Sequence, residues 1–364
     1  MSQKVLKETY RPRQPMKILH IIAGASIGGA ETFCKDTIEA LAQQNINQHV
    51  ICRSHPRLLK ILVENNVSYT PLSFNRFRKW SERNRIKRII AKEEPTIIHS
   101  WMSRASSFVP QELNVPVIGW FGGYYDLKNY RNCNYYMAVT RDIVKHIHQQ
   151  SGKQHNTFLV HTFGTLSEDK PLNKADLGIP EGKKVVLLLS RMHWKKGVDT
   201  LLNAAVKLPD SYFLLAGSGP ELERYKKLAV SLKIEDRIRF LGWRDDRSAL
   251  LALADVCVLP SRYEPFGTVI AEAWFAGVPL VATKAQGAVQ YVTHNHDGLL
   301  CEIDDVSSLS GLLHQAQTDK KLREKLACNG AKTYQQTFSK ELVISKMLEA
   351  YCQVIHDFKF NVLR

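Results

Sequence analysis

The chain alternates short, continuous apolar runs with longer amphipathic stretches, and the runs recur at the spacing of strands followed by helices. Residues 17–23, 49–53, 96–99, 115–120 and 136–139 are runs of this kind in the first half, and 158–161 closes it. After a polar stretch at 166–181 the pattern restarts at 184–190, with further runs at 212–216, 237–241, 254–259, 279–282 and 298–301. Runs of four to eight apolar residues bounded by turn formers read as strands buried on both faces, the habit of parallel sheets. The intervening segments, among them 57–64, 74–92 and 141–150, carry apolar residues at helical spacing. A helical pattern covers 320–358, with breaks expected near Gly330 and Thr337. Strand, helix, strand repeated in this way predicts α/β architecture in two halves.

Length and composition narrow the class. At 364 residues, 44% hydrophobic and 23% charged, the chain suits two globular domains of ordinary size. No apolar run reaches the ~18 residues needed to span a bilayer. Residues 1–15 are polar and basic without an apolar core, which predicts a flexible arm rather than a secretory signal. The seven cysteines form no Cys-x-x-Cys pair, and no His/Cys cluster has zinc spacing, so buried free thiols in a reducing compartment are expected.

Charge is spread unevenly. Residues 1–167 hold 23 Lys and Arg against 11 Asp and Glu, a net +12, whereas 168–364 hold 27 against 24, a net +3. An anionic partner is therefore expected for the first half only. The densest stretch is 74–92, where Arg76, Arg78, Lys79, Arg83, Arg85, Lys87, Arg88 and Lys92 interleave with Phe74, Phe77, Trp80, Ile86, Ile89 and Ile90. Either this is a helix with a core-facing apolar side and a solvated basic side, or it docks on an anionic membrane surface. No nucleic-acid fold signature accompanies the charge, so no nucleic-acid partner is expected.

Chemistry concentrates at strand ends. The run 254–259 leads into Pro-Ser-Arg-Tyr-Glu264-Pro-Phe266-Gly267-Thr268-Val-Ile-Ala-Glu272, a strand, a tight loop and a helix start. A helix N-terminus offers unpaired N–H groups and partial positive charge to a phosphate, and a carboxylate on each side offers acceptors to hydroxyl groups. The run 184–190 ends in Arg191, with Lys195-Lys196-Gly197 opening the next helix. The run 212–216 ends in Gly217-Ser-Gly219-Pro-Glu221, and 237–241 in Gly242-Trp243. In the first half, 17–23 is followed by Gly24-Ala-Ser-Ile-Gly28-Gly29-Ala-Glu31, which is neither a phosphate loop with Gly-Lys-Ser/Thr nor a Gly-x-Gly-x-x-Gly fingerprint.

Glu-Pro-Phe-Gly-x4-Glu, with Arg191, Lys196-Gly197, Gly217-Ser-Gly219-Pro-Glu221 and Gly-Gly-Ala-Glu31, resembles the retaining nucleotide-sugar glycosyltransferases of family four. The resemblance covers roughly residues 16–354 and is tighter in the second half. It implies the GT-B fold: two Rossmann-like domains with parallel sheets facing a cleft. The expected division is an acceptor-binding domain at 1–165, a linker at 166–182, a nucleotide-sugar domain at 183–345, and a helix at 346–364 returning toward the first domain. It further implies retaining, metal-independent transfer of a sugar from a nucleotide donor, UDP favoured, to a glycan or lipid-linked acceptor such as a lipopolysaccharide core. No cofactor is expected beyond that substrate, and the place of work would be cytoplasmic, at the inner face of the membrane.

By the same resemblance Arg191 and Lys196 neutralise the donor diphosphate, with N–H groups near Phe266, Gly267 and Thr268. Glu264 then binds sugar hydroxyls and Glu272 the ribose. Gly217, Gly219 and Gly242 bring backbone to the nucleotide, and Gly28 and Gly29 approach the diphosphate, unless theirs is a simple strand-to-helix turn. The family often has a second His two residues after His99; Trp101 stands there, and either stacks on an acceptor ring or belongs to the core. Tyr124 and Tyr125, in Phe-Gly-Gly-Tyr-Tyr, resemble an acceptor loop or form a plain turn. A sugar-nucleotide epimerase or hydrolase, and a non-enzymatic module for anionic polymers, remain the alternatives.

Overall fold

The computed structural model describes residues 15–24, 29–152, 156–164 and 169–362. The chain divides into two compact units: residues 1–162 with 341–364, and residues 163–340. The arm expected at 1–15 and Gly28 lie outside the described residues, apart from Pro15.

In the first unit seven strands form one sheet: β1 (Lys17–Ile22), β2 (Asn47–Cys52), β3 (Ser68–Pro71), β4 (Ile97–Trp101), β5 (Val117–Phe121), β6 (Tyr135–Ala138) and β7 (Thr157–Leu159). Their order is β3-β2-β1-β4-β5-β6-β7, and every neighbouring pair is parallel. The crossovers are α1 (Gly29–Gln43), α2 (Pro56–Glu64), α3 (Lys79–Glu93), α4 (Met102–Ser106) and α5 (Arg141–Ser151). Central strands such as β4 are buried along their whole length, which is why they read as unbroken apolar runs.

The second unit repeats the plan with β8 (Lys184–Leu189), β9 (Ser211–Ala216), β10 (Ile238–Gly242), β11 (Val256–Leu259), β12 (Leu280–Thr283) and β13 (Leu299–Cys301), in the order β10-β9-β8-β11-β12-β13, again all parallel. Its helices are α6 (Val198–Ala205), α7 (Leu222–Ser231), α8 (Arg247–Leu253), α9 (Thr268–Phe275), α10 (Ala288–Tyr291), α11 (Val306–Thr318) and α12 (Lys320–Thr337). The last helix, α13 (Lys340–Val362), belongs from Glu341 onward to the first unit, where the Tyr351 hydroxyl meets His99 Nδ1 at 2.5 Å.

Both sheets reverse their order once, between β1 and β4 and between β8 and β11. At such a switch point adjacent crossovers leave on opposite faces, and a crevice opens outside the carboxyl ends of the strands. The expected break at Gly330 is absent: α12 runs through it, because the Trp274 ring lies where a Cβ would be, only 2.3 Å away. The break expected near Thr337 is present: α12 ends there, and Phe338 and Ser339 separate it from α13.

Candidate active site

In the second unit the switch point gathers most of the residues singled out from the sequence. Arg191 follows β8 and is exposed, and a short 3-10 turn carries Lys195 and Lys196 to Gly197. The loop 260–267 leaves the neighbouring strand β11. Gly197 has a left-handed backbone (φ 63°), and a Cβ on it would stand 1.9 Å from the Pro260 carbonyl oxygen. Only glycine lets the two loops pass this closely. The Arg262 and Tyr263 N–H groups both donate to the Lys195 carbonyl, at 2.8 and 3.1 Å. The result is a single double-loop platform.

On that platform Lys196 Nζ donates to Glu264 Oε2 at 2.5 Å, with the Ser261 hydroxyl 3.4 Å from the same oxygen. Both side chains are largely shielded from solvent, with 23% and 12% exposed. The Glu264 carbonyl accepts the Gly287 N–H at 2.7 Å, which fixes the loop from its other side. Gly267, at φ 84°, turns the chain into α9, and no side chain caps that helix. The Thr268 end of α9 is thus an uncapped N-terminus beside the Lys196–Glu264 pair.

Glu272 lies one turn into α9 and is 3% exposed. Arg247, at the start of α8, donates to its carboxylate. Gly164 packs against the same residue, 3.1 Å separating its Cβ position from Glu272 Cγ. The loop after β9 completes the platform. A Cβ on Gly217 would sit 1.8 Å from the Ser190 carbonyl oxygen, so this loop crosses directly against the one bearing Arg191. Gly219 lies against Met192, whose N–H donates to the Ser218 carbonyl at 3.0 Å. Gly242 ends β10, and its carbonyl accepts the Gly217 N–H at 2.6 Å; the space beside its α-carbon is open. Phe266 is buried between Tyr291 and Phe338, so its ring anchors the loop and only its backbone faces the helix start.

Two arginines of this site do not stand out in the sequence. Arg247 sits in Arg-Asp-Asp-Arg, which reads as a surface turn; its partner Glu272 is 25 residues away in the chain. Arg262 lies inside the Glu264 motif itself. Its guanidinium grips Asp199 through two nitrogens, at 2.8 and 3.0 Å, reaches Asp304 at 2.9 Å, and bonds the Trp194 carbonyl at 2.7 Å. Asp199, and next Asp304, hold its proton more tightly than an ordinary guanidinium. Arg262 is the bolt between the two loops.

The first unit treats its candidates differently. Gly29 opens α1 at the carboxyl end of β1. Trp101 is no exposed platform: it is fully buried, stacked on His99 at 4.2 Å, and donates its indole N–H to His20 Nδ1 at 3.1 Å. As the last residue of a strand flanked by β1 and β5, it has protein on both sides, and its reading as a core residue is the correct one. Tyr124 and Tyr125 are half-buried after β5. The Tyr124 ring meets His146 edge-on at 5.4 Å, and the Tyr125 carbonyl accepts from Gln150 at 3.1 Å.

The basic stretch splits into a 3-10 turn (Arg76–Arg78) and α3. Phe74, Ile86, Ile89 and Ile90 are buried, whereas Phe77 is fully exposed and Trp80 is 79% exposed. Arg76 and Arg78 are exposed; Lys79 and Arg83 are half-buried. No described helix is long and apolar enough to cross a membrane.

Residues 169–333 match the family described as Glycosyl transferases group 1, and residues 27–163 the family described as Glycosyltransferase Family 4. The chain is 30% identical over 343 residues to the lipopolysaccharide core biosynthesis glycosyltransferase LpsD of Rhizobium meliloti (strain 1021), covering 92% of this chain and 98% of the relative. It is 30% identical over 346 residues to LpsE of the same organism, which carries the same description, with 93% and 99% covered. Among solved structures, HepE of Anabaena in complex with UDP-glucose superposes with a TM-score of 0.81 at 21% identity, over 93% of this chain and all of that one. With its two parallel-sheet Rossmann-like units, the chain belongs to the GT-B glycosyltransferases of group 1 and family four.

Proposed function

We propose that the chain transfers a sugar, with retained anomeric configuration and without an obligatory metal, from a nucleoside diphosphate donor to a glycan or lipid-linked acceptor of the lipopolysaccharide core type. UDP is the favoured nucleotide. The names of LpsD and LpsE and the UDP-glucose bound by HepE support this reading. The observation that carries it is the Lys196–Glu264 pair at the β8/β11 switch point, beside the uncapped start of α9.

The Lys196 ammonium and the Glu264 carboxylate neutralise one another. A donor would divide them: the diphosphate takes Lys196, and a sugar hydroxyl donates to Glu264. Arg191, exposed at the end of β8, then meets the diphosphate from the other side. As the glycosidic bond breaks, negative charge grows on the leaving diphosphate. Fixed cations and the N–H groups at Phe266, Gly267 and Thr268 stabilise it without reorganising, the role a metal ion would otherwise fill. Glu272, held by Arg247, is the acceptor for ribose hydroxyls.

A panel of radiolabelled nucleotide sugars with a deacylated core oligosaccharide, run with and without EDTA, tests this directly. Transfer that survives chelation, with the donor's anomeric configuration kept in the product by NMR, is the expected result. Free sugar or an epimer formed without acceptor would make the chain a hydrolase or epimerase instead.

We also place the work at the cytoplasmic face of an anionic membrane. Phe77 and Trp80 stand fully or largely exposed beside Arg76, Arg78, Lys79 and Arg83, apolar wedges with cations at their base. Each cation near an anionic surface contributes about 1 kcal/mol. In flotation assays Phe77→Ser with Trp80→Ser should abolish binding to phosphatidylglycerol vesicles. Equal flotation with neutral and anionic vesicles would remove the membrane from the reading.

A further inference from the structure

We propose that Arg53, Arg76 and Arg104, gathered at the carboxyl ends of β2, β3 and β4 in the first unit, form a second anion site, which takes a phosphate ester carried by the acceptor or by a lipid headgroup. This goes beyond the donor chemistry above and uses none of its residues.

The three arginines come from three different connections. Arg53 directly follows β2, and its Nε donates to the Ser73 carbonyl at 3.1 Å. Arg104 lies in α4, just past β4, and its Nη2 donates to the Phe74 carbonyl at 3.2 Å. Consecutive carbonyls of one loop thus hold two guanidiniums side by side, and Arg76 follows two residues later, exposed. Like charges this close repel. Burial first, and then the charges of Arg53 and Arg76, weaken the hold of Arg104 on its proton.

Ordinary structural arginines relieve this with carboxylates, as Arg262 and Arg247 do in the second unit. Among the described residues none of these three is in an ion pair. Glu82, the carboxylate tied to this loop, accepts the Ser73 hydroxyl at 2.5 Å and bridges to none of them. Arg104 Nε is buried and has no bonding partner. A guanidinium carries five N–H donors in a rigid fork. One donor on each of Arg53 and Arg104 fixes the group, and the remaining Nη donors, unlike the buried Nε of Arg104, stay open to an oxyanion.

The backbone is set to keep the cluster together. Phe74 and Met102 both have left-handed backbones (φ 51° and 62°), which bulky residues adopt only when their surroundings enforce it. The buried Phe74 ring is locked edge-on against Phe108 at 5.4 Å, and the Leu72 N–H bonds the Cys52 carbonyl at 2.8 Å. The carboxyl ends of parallel strands are where such sheets bind ligands.

The test uses the full chain carrying Arg191→Ala and Lys196→Ala, so that the donor clamp takes no probe. Inorganic phosphate and glucose 6-phosphate are titrated by calorimetry, and flotation is measured with phosphatidylglycerol and phosphatidylcholine vesicles. Removing one charge-assisted contact should weaken phosphate binding about tenfold or more in Arg76→Gln and in Arg104→Gln, and Arg104→Lys should recover part of the loss. Arg88→Gln, an exposed cation elsewhere on α3, should change nothing. Should Arg104→Gln fail to fold, Arg76→Gln still decides the matter, since that exposed side chain makes no bond among the described residues.

Glucose 6-phosphate binding with the same arginine dependence assigns the site to a glycan phosphate. Loss confined to phosphatidylglycerol vesicles assigns it to a headgroup. Equal binding of every probe by the parent and Arg76→Gln, or an equal loss in Arg88→Gln, overturns the proposal. None of these readouts needs turnover. A chain that binds phosphate this way but transfers no sugar would defeat the proposed function and leave the anion site intact.

Discussion

Gly197→Ala is the sharpest probe of the platform that carries Lys196 and Glu264. The residue has φ 63°, and an added Cβ would lie 1.9 Å from the Pro260 carbonyl oxygen. Ordinary contact begins at 3.4 Å, so the two loops must part by about 1.5 Å. That parting acts on the bonds from the Arg262 and Tyr263 N–H groups to the Lys195 carbonyl and on the 2.5 Å contact between Lys196 and Glu264. A misplacement of about 1 Å in a catalytic constellation costs on the order of 100-fold in rate. Placing alanine in a left-handed backbone also costs about 1–2 kcal/mol of stability whatever the surroundings. Gly182→Ala separates the two effects: its φ is 77°, and nothing lies within 4 Å of its Cβ position. Both variants should lose similar backbone stability in urea titrations, but only Gly197→Ala should lose turnover, by roughly 100-fold after correction for the folded fraction. Wild-type turnover in Gly197→Ala, or an equal loss in Gly182→Ala, would show that the crossing of the loops does not position the site.

Arg191→Ala and Lys196→Ala should each lower turnover about 100-fold, as removal of one preorganised donor does elsewhere, with little change in folding; unimpaired turnover in both would refute the clamp. Calorimetry with free UDP should find Glu272→Gln weakened and Glu264→Gln near wild type, and the opposite pattern would exchange their roles. The core of the first unit should soften in acid. His20 is fully buried, and burial pushes it down to about 4 from 6.5, so it binds its proton in the unfolded chain before the folded one. Its contribution is complete above pH 6.5 and drains away as pH falls toward 4, a loss of about 3 kcal/mol. His99, also pushed down from the usual histidine range by burial and then by the charge of His20, adds to it. Hydrogen exchange should show β1 and β4 opening faster at pH 5 than at pH 7.5; unchanged protection would mean that these histidines are already charged.

The sequence is legible where burial is complete. Strands such as β8, with Lys-Val-Val-Leu-Leu-Leu and five of six residues buried, announce themselves as runs because parallel sheets hide both faces. The edge strand β3, Ser-Tyr-Thr-Pro, is largely exposed and leaves no such mark. The platform of the second unit was legible because its parts sit beside strand ends in local strings: Arg191 after β8, Lys196-Gly197 before α6, Glu264 through Glu272 after β11. What locks the strings together was not. Arg262 meets Asp199 across 63 residues and Arg247 meets Glu272 across 25, and no local pattern encodes pairs that only the strand order brings together. The helical spacing of 74–92 also misled in one respect. It grouped Phe74, Phe77 and Trp80, yet Phe74 precedes the helical turn and is buried, whereas the other two point to solvent.

The uneven charge of the chain follows from the same difference between the units. In the second, three of the site's cations already have carboxylates, while Arg191 stands exposed without one among the described residues: Lys196 has Glu264, Arg247 has Glu272, and Arg262 has Asp199 and Asp304. A ligand there must exchange partners with an existing pair, so binding is selective for a molecule that satisfies both halves, an anion for the cation and a hydroxyl for the carboxylate. A nucleotide sugar presents both. In the first unit Arg53 and Arg104 are held by backbone carbonyls, Arg76 is exposed, and among the described residues none of the three is in an ion pair. An anion arriving there displaces nothing, so charge alone attracts it, and that attraction weakens with salt. Selectivity at the donor site and electrostatic capture at the proposed anion site would suit a fixed donor class and an acceptor that carries phosphate.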